Sequence, residues 1–360
     1  MSTPEKKKCL DSLMGWLRNA QDVGQVGGVP AYFSFRSKWA LPYLETTGYI
    51  SCTFLRYAEM TQNDEYVGRA EKMIKWLLEL QEPSGSFTEL FRTGKSEPVV
   101  FNCGQVLRGL TDFYPYAEKD LRPKLEKAIE NVSNWLCAVQ DPDGNWTRYE
   151  YQGMPHIYNT RTAWALLKAG RFFNNEKHIE KAENNLEWAQ SQVAENGYFN
   201  DCYDLTHFLT YTANGFLEVG IVLSNDNYIN IAKNYFFKMY ELNKNYPYII
   251  ATYNRQWQPT STYSCLTGNA QIACLALRMM ENNIINRDEK VLEWINNLFG
   301  FLDHVRVKDI DENVNGGIPG SFPIWGKYFG GAIPNWAVKF TADAFIYFLR
   351  LFTDRDGNYR

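Results

Sequence analysis

Long apolar runs are missing from this sequence: no stretch reaches the roughly 18 residues that a membrane-spanning helix needs. The opening MSTPEKKKCL has three lysines and no apolar segment behind them, which is not the layout of a secretory signal. Paired cysteines are missing too. Cys9, Cys52, Cys103, Cys137, Cys202, Cys265 and Cys274 are odd in number, scattered and without a CxxC, so they read as reduced, buried thiols. Positive charge is not in excess: Lys+Arg 37 against Asp+Glu 41 leaves −4, and no basic stripe offers itself to a phosphate backbone. No HExxH, GxGxxG, P-loop or GxSxG motif occurs. The expectation is a cytoplasmic protein with no membrane segment, no nucleic-acid partner, no metal and no cofactor.

Aromatic residues are abundant. They make up 16% of 360 residues, with Trp 11, Tyr 23 and Phe 22, more ring surface than a core requires. A ring-lined cavity is expected. The tryptophans also mark a repeat. Trp76 is followed by Gln81, Pro83, Gly85 and Phe87; Trp135 by Gln140, Pro142, Gly144 and Trp146. Trp188 continues the series with Gln192, Gly197 and Phe199, and Trp16 begins it with Gln21 and Gly28. The tryptophans stand 60, 59 and 53 residues apart, and Trp294 follows 106 further on, with Tyr240 in the place of the missing one.

Each unit reads as two helices. Phe54, Leu55, Tyr57 and Ala58, then Met73, Ile74, Trp76, Leu77 and Leu78, fall at helical spacing on either side of the polar turn at residues 61–64. Asn174-Asn175, Asn225-Asp226-Asn227 and Asn282-Asn283 form similar turns, with side-chain oxygens able to cap the next helix. First helices are expected near Gly48, Gly104, Thr160, Tyr211, Gly268 and Asn335. The sixth, Trp336 to Leu351, lacks a following partner, whereas Lys6 to Asn19 lacks a preceding one. Pairing these two closes six hairpins into an all-α, twelve-helix (α/α)6 toroid, one domain over residues 1–360.

Such a ring aims six inner-helix N-termini at one mouth, where unpaired N–H groups favour an anionic or electron-rich ligand. Tyr49, Gln105 and Arg161 are 56 residues apart and so share one place in successive units, with Gln271 and Lys339 near it in later ones. Asn102, Asn159, Asn269 and Asn335 add polar groups on the entry segments, and Trp39, Tyr211, Trp325 and Trp336 offer rings that can stack on sugar faces. Glu45 reads equally as a helix-capping carboxylate or as a catalytic acid or base. Asp201 and Asp204 bracket an entry loop just before His207, and His156 adjoins Tyr158, Asn159 and Arg161, a set able to hold a carboxylate or a sugar ring. His178 and His304 read as structural. Lys339 and Asp343, four apart, form either an ion pair or an oriented lysine.

Three partial motifs are set aside. Residues 102–105, NCGQ, lack the Glu and the spacing of a thioester site; Asp201-Cys202 and His207 are too compressed for the zinc set of protein prenyltransferases. Asp309, Asp311 and Glu312 approximate the acidic motif of terpene cyclases but fall in a Gly/Asn-rich outer loop. The Gln-x-Pro-x-Gly-x-aromatic turns resemble the repeats of the prenyltransferase and squalene-cyclase superfamily. The segments LETTGY, NCGQVLRGL, PHIYNTRTAWALL, LTHFLTY, YSCLTGNAQ and PNWAVKF are similar to those of bacterial and archaeal proteins associated with cell-surface polysaccharide biosynthesis, from about Ala40 to Leu351.

That resemblance implies an (α/α)6 toroid of the kind found in glycoside hydrolases, polysaccharide lyases and sugar epimerases. The expected function is a metal-free, acid/base enzyme acting on an acidic or polar glycan or oligosaccharide. Hydrolysis comes first, by the carboxylates Glu45 and Asp201. Elimination or epimerisation at a uronate would use Tyr158 or His207 to carry the proton, with Arg161 and Lys339 neutralising the carboxylate. A terpenoid cyclase and a non-catalytic glycan-binding protein are the alternatives.

Overall fold

The structure, a computed structural model, describes residues 1–88, 97–200 and 203–353. Its helices, in chain order, are α1 (Thr3–Gly24), α2 (Leu44–Thr61), α3 (Glu65–Glu79), α4 (Val100–Phe113), α5 (Arg122–Ala138) and α6 (Thr160–Phe172). There follow α7 (Glu176–Ser191), α8 (Thr206–Leu223), α9 (Asp226–Asn243), α10 (Leu266–Glu281), α11 (Glu289–Val305) and α12 (Asn335–Phe352). The even-numbered helices each pack on the next, and α12 packs back on α2, closing an inner ring. The odd-numbered helices form the outer layer, α3 against α2 and so on around, with α1 against α12. This is the expected (α/α)6 toroid. Among the described residues no helix is long and apolar enough to cross a membrane.

The two layers differ because their surroundings differ. Outer helices bury one stripe: in α3 it is Tyr66, Ala70, Met73, Ile74 and Leu77, the spacing of one helical face. Inner helices are enclosed all round, and α2 buries every residue from Leu44 to Leu55. Several of their buried hydroxyls bond back along the chain, Thr47 Oγ1 to Tyr43 O (2.7 Å) and Thr341 Oγ1 to Ala337 O (2.7 Å), which offsets their loss of water. Neighbouring inner helices approach closely at glycine. A Cβ on Gly48 would lie 2.6 Å from Gln105 O.

The repeated turns are clamps between units. Gln81 Nε2 donates to Gly85 O (3.1 Å) in its own turn and to Ala128 O (2.9 Å) on α5. Gln140 Nε2 does the same to Gly144 O (3.0 Å) and to Lys181 O (2.8 Å) on α7. Gln21 Nε2 ties Gly27 O (3.1 Å) to Arg69 O (2.9 Å) on α3. Gly85 and Gly144 have φ of 90° and 92°, and a Cβ at either would lie 2.4 Å from the carbonyl of Asn131 or Asn184. The Trp188 unit departs from the expected register. Val193 pairs with Phe199 as Gln81 does with Phe87, so Val193 and not Gln192 holds the clamp position. Gln192 turns instead to Ser191 Oγ (2.9 Å).

Asn175, Asn225 and Asp288 cap α7, α9 and α11; the cap expected from Asn282-Asn283 falls to Asp288. The ends of the chain meet in two seams. Trp16 of α1 is buried, and its Nε1 donates to Asn313 O (3.0 Å). A small antiparallel sheet joins β1 (Tyr32–Ser34) to β2 (Lys38–Trp39) and to β3 (Ala332–Pro334), just before α12. Asn335 Nδ2 then donates to Pro30 O and Thr46 Oγ1, both at 2.8 Å.

Candidate active site

The inner helices line the axis in tiers, at i, i+4, i+7 and i+11 from their N-terminal ends. By register the first tier is Glu45, Phe101, Ile157 (in the turn before α6), His207, Thr267 and Trp336, of which Ile157 and Thr267 do not line the funnel, and the second is Tyr49, Gln105, Arg161, Tyr211, Gln271 and Phe340. Below come Cys52, Arg108, Trp164, Asn214, Cys274 and Asp343, then Arg56, Asp112, Lys168, Glu218, Arg278 and Tyr347. The last tier is a ring of charge. Lys168 pairs with Asp112, Arg278 grips Glu218 through two 2.8 Å bonds, and Arg56 reaches Asp343 at 3.4 Å.

A funnel of about 290 Å³ opens above the second tier, in the range of small-molecule sites. Its walls are the first-tier residues Glu45, Phe101, His207 and Trp336, with Tyr49 and Tyr211 as floor. The entry loops add Tyr43, Tyr151, Gln152, Tyr158 and Tyr203, α8 adds Phe208, and Tyr328 and Phe329 hang in from the loop before β3. The rings brace one another: His156 stacks on Tyr158 (4.8 Å, 10°), Phe101 meets Tyr158 edge-on (5.0 Å), and Trp336 Nε1 donates to Tyr328 Oη (2.9 Å).

Two groups able to carry protons stand on opposite walls, because α2 and α8 are three places apart in the six-membered inner ring. Glu45 lies in the first turn of α2, where the helix end favours negative charge, and accepts from Tyr43 Oη (2.5 Å). Tyr43 Oη is 3.1 Å from Tyr151 Oη, which donates to Asn102 Oδ1 (3.2 Å). His207 Nδ1 is 3.1 Å from Gln271 Oε1; donation there leaves Nε2 unprotonated. Burial pushes His207 down to about 3, so the imidazole is neutral at working pH.

Behind Tyr151 lies Glu150. Its Oε1 accepts from Phe101 N (3.1 Å) and Asn159 Nδ2 (2.9 Å). Burial nevertheless raises it to about 8, leaving it largely protonated at pH 7. Sequence reasoning missed Glu150, and missed Tyr43, Tyr151, Tyr203, Tyr328 and Phe329 individually, although the aromatic excess announced them as a class.

Several expected site residues lie elsewhere. Arg161 and Lys339 are beneath the floor, lining a small separate chamber and not the funnel. Arg161 binds Asn214 and Gln105 and stacks on Tyr211 (4.6 Å); burial lowers it to about 10. Lys339 pairs with Asp343 (2.6 Å) and burial lowers it to about 8. Asn269 and Asn335 are tied to backbone, Asn269 through Ile249 N (2.9 Å) and Cys265 O (2.8 Å). Trp39 packs on Trp16 (5.3 Å) outside the funnel, and Trp325 is 79% exposed beyond its rim. Asn102 and Gln271 bond the lining residues Tyr151 and His207, whereas Asn159 bonds Glu150 and Gln105 bonds Arg161 beneath the floor. Asp201 lies outside the described residues. The acidic loop at Asp309–Glu312 meets α1, where Asn19 Nδ2 donates to Glu312 O (2.9 Å), and takes no part in the funnel. Among the described residues no three His, Cys, Asp or Glu side chains converge as a metal site would require.

The family model of the ulvan lyase N-terminal domain matches residues 52–202. Among solved structures, an unsaturated glucuronyl hydrolase specific for heparin superposes with TM-score 0.77 at 13% identity, covering 97% of this chain and 98% of that one. A sugar epimerase from a ruminal bacterium gives 0.77 at 10% identity over 97% and 99%, and a D-mannose isomerase gives 0.72 at 14% over 97% and 98%. A search of curated proteins finds no match. At these identities the likeness is one of fold.

Proposed function

We propose that this protein is a carbohydrate-active enzyme that moves a proton between the two walls of the funnel, an elimination or epimerisation on a polar glycan. The observation that carries the reading is the opposed pair, Glu45 on α2 and neutral His207 on α8, with tyrosine hydroxyls between them. A base on one wall takes the proton from a carbon beside a carbonyl or carboxyl group, and a tyrosine hydroxyl of the funnel gives one to the leaving glycosidic oxygen as its C–O bond breaks, or to the other face of the same carbon, the base then returning its proton to the tyrosinate. Stacked rings hold the sugar while the hydroxyls orient it. The ulvan lyase model match and the sugar epimerase and isomerase structures support this class. The resemblance to polysaccharide-biosynthesis proteins suggests a cell-surface glycan or its precursor as substrate. Polar groups in place of a purely aromatic wall count against a terpenoid cyclase.

Hydrolysis is the second reading, favoured by Glu45 and Glu150. A protonated carboxyl near an ionised one is what glycoside cleavage requires, but Glu150 is sealed behind Tyr151 and would have to be uncovered. One panel separates the readings. Uronate-containing and neutral oligosaccharides are incubated in D2O, following ultraviolet absorbance of an unsaturated product, deuterium at a sugar carbon, and new reducing ends. Absorbance or deuterium supports proton abstraction, whereas saturated reducing ends alone support hydrolysis. Silence across the panel overturns both.

A further inference from the structure

Below the aromatic floor the axis holds a narrow chamber of about 20 Å³, room for one water-sized occupant. Four cations line it, Arg108, Arg161, Arg278 and Lys339, against two anions, Glu218 and Asp343. Both anions are already engaged. Arg278 grips Glu218 through two bonds, and Asp343 takes Lys339 at 2.6 Å as well as Thr53 Oγ1 (2.8 Å). That leaves two guanidiniums. Arg161, 2% exposed, bonds only to the neutral oxygens of Asn214 and Gln105. Arg108, 4% exposed, lies on the Trp164 ring at 4.3 Å, and its nearest carboxylate, Asp112, is 3.9 Å away and already held by Lys168.

The unpartnered polar atoms of this lining are all donors: Arg108 Nε, Arg161 Nε and Gln271 Nε2. A buried, uncompensated charge is among the costliest features a fold can carry. A water would supply lone pairs but no charge, and would bring two hydrogens of its own into a lining already rich in donors. A carboxylate or phosphate group is too large for the space.

We propose that the chamber binds a single monatomic anion, a halide of chloride size, held by Arg108, Arg161 and Gln271. The anion also sets the amide of Gln271. With Nε2 donating downward to the ion, Oε1 faces His207 Nδ1 and keeps the imidazole in the tautomer whose Nε2 is unprotonated. That corollary rests on the role given to His207 above; the ion site itself does not.

The test uses the full chain, exchanged into sodium gluconate and titrated with sodium chloride or bromide at constant ionic strength. A saturable rise in Tm of a few degrees with either halide is expected, because a ligand bound only to the folded state stabilises it. Crystals grown in bromide should show an anomalous peak among Arg108, Arg161 and Gln271. Arg108→Gln should lose the halide-dependent rise while unfolding cooperatively in gluconate. Superimposable halide and gluconate curves with no bromide peak at the chamber overturn the proposal, whatever the funnel catalyses. If the variant does not fold, the titration and the bromide map of the unaltered protein decide alone.

Discussion

The side chain most open to a decisive test is His207. Glu45→Gln and His207→Asn should each lower turnover by about 10²–10⁴, the usual worth of a positioned acid or base, with circular dichroism unchanged. A non-catalytic binding protein would instead keep its ligand affinity and have no turnover to lose. Because burial already holds His207 near 3, the rate should show no acid limb around pH 6.5. Glu150 governs a different pH dependence. Its folded value, about 8, lies above the unfolded 4.5, so the folded state binds the proton more tightly. Stability should therefore fall as pH rises from 4.5 to 8 and then level off. Glu150→Gln, whose amide oxygen can still accept from Phe101 N and Asn159 Nδ2, should flatten that slope and leave the variant more stable than the parent at pH 9 by a few kcal/mol, read from urea unfolding. Neither effect was legible beforehand. Glu150 sits in an irregular loop with no periodicity to place it, and its proton affinity comes from burial, which the hydrogen bonds from Phe101 N and Asn159 Nδ2 only partly offset.

Among the elements, the glutamine clamps make the sharpest contrast. Gln81→Leu and Gln140→Leu each strand two carbonyls and should cost about 1–3 kcal/mol. Gln192→Leu should lie within about 0.5 kcal/mol of the parent, since Val193 occupies the clamp position. Gly85→Ala and Gly144→Ala add a carbonyl clash to an unfavourable φ; Gly197→Ala faces open space and should cost less. The clamps were visible because Trp, Gln, Gly and the closing ring keep fixed steps. The slip at Trp188 was hidden, since Gln192 has the right chemistry one residue early. Inner helices hid more. Periodicity identifies the face that Arg161 and Lys339 present to the axis but not how deep they sit, and it was the level of the Tyr49–Tyr211 floor that moved them from the funnel to the chamber.

At the level of the whole molecule, closure rests on α1. Its Leu13, Trp16 and Leu17 are buried, and it is the main outer helix on α12, with Phe299 of α11 adding ring contacts to Phe345 and Phe348. Trp16→Ala should cost about 3–5 kcal/mol, and deletion of residues 1–24 should broaden the urea transition as the ring loses its join. The ring itself was legible because an unmatched outer helix at one end of the repeat answered an unmatched inner helix at the other. Its four tiers have a further consequence. Each storey takes one residue from every inner helix, and the clamps that hold the wall upright lie outside it. The upper storey can therefore be refurnished for another sugar while the charged basement and the masonry stay as they are, which makes this architecture as replaceable in its fittings as it is fixed in its frame.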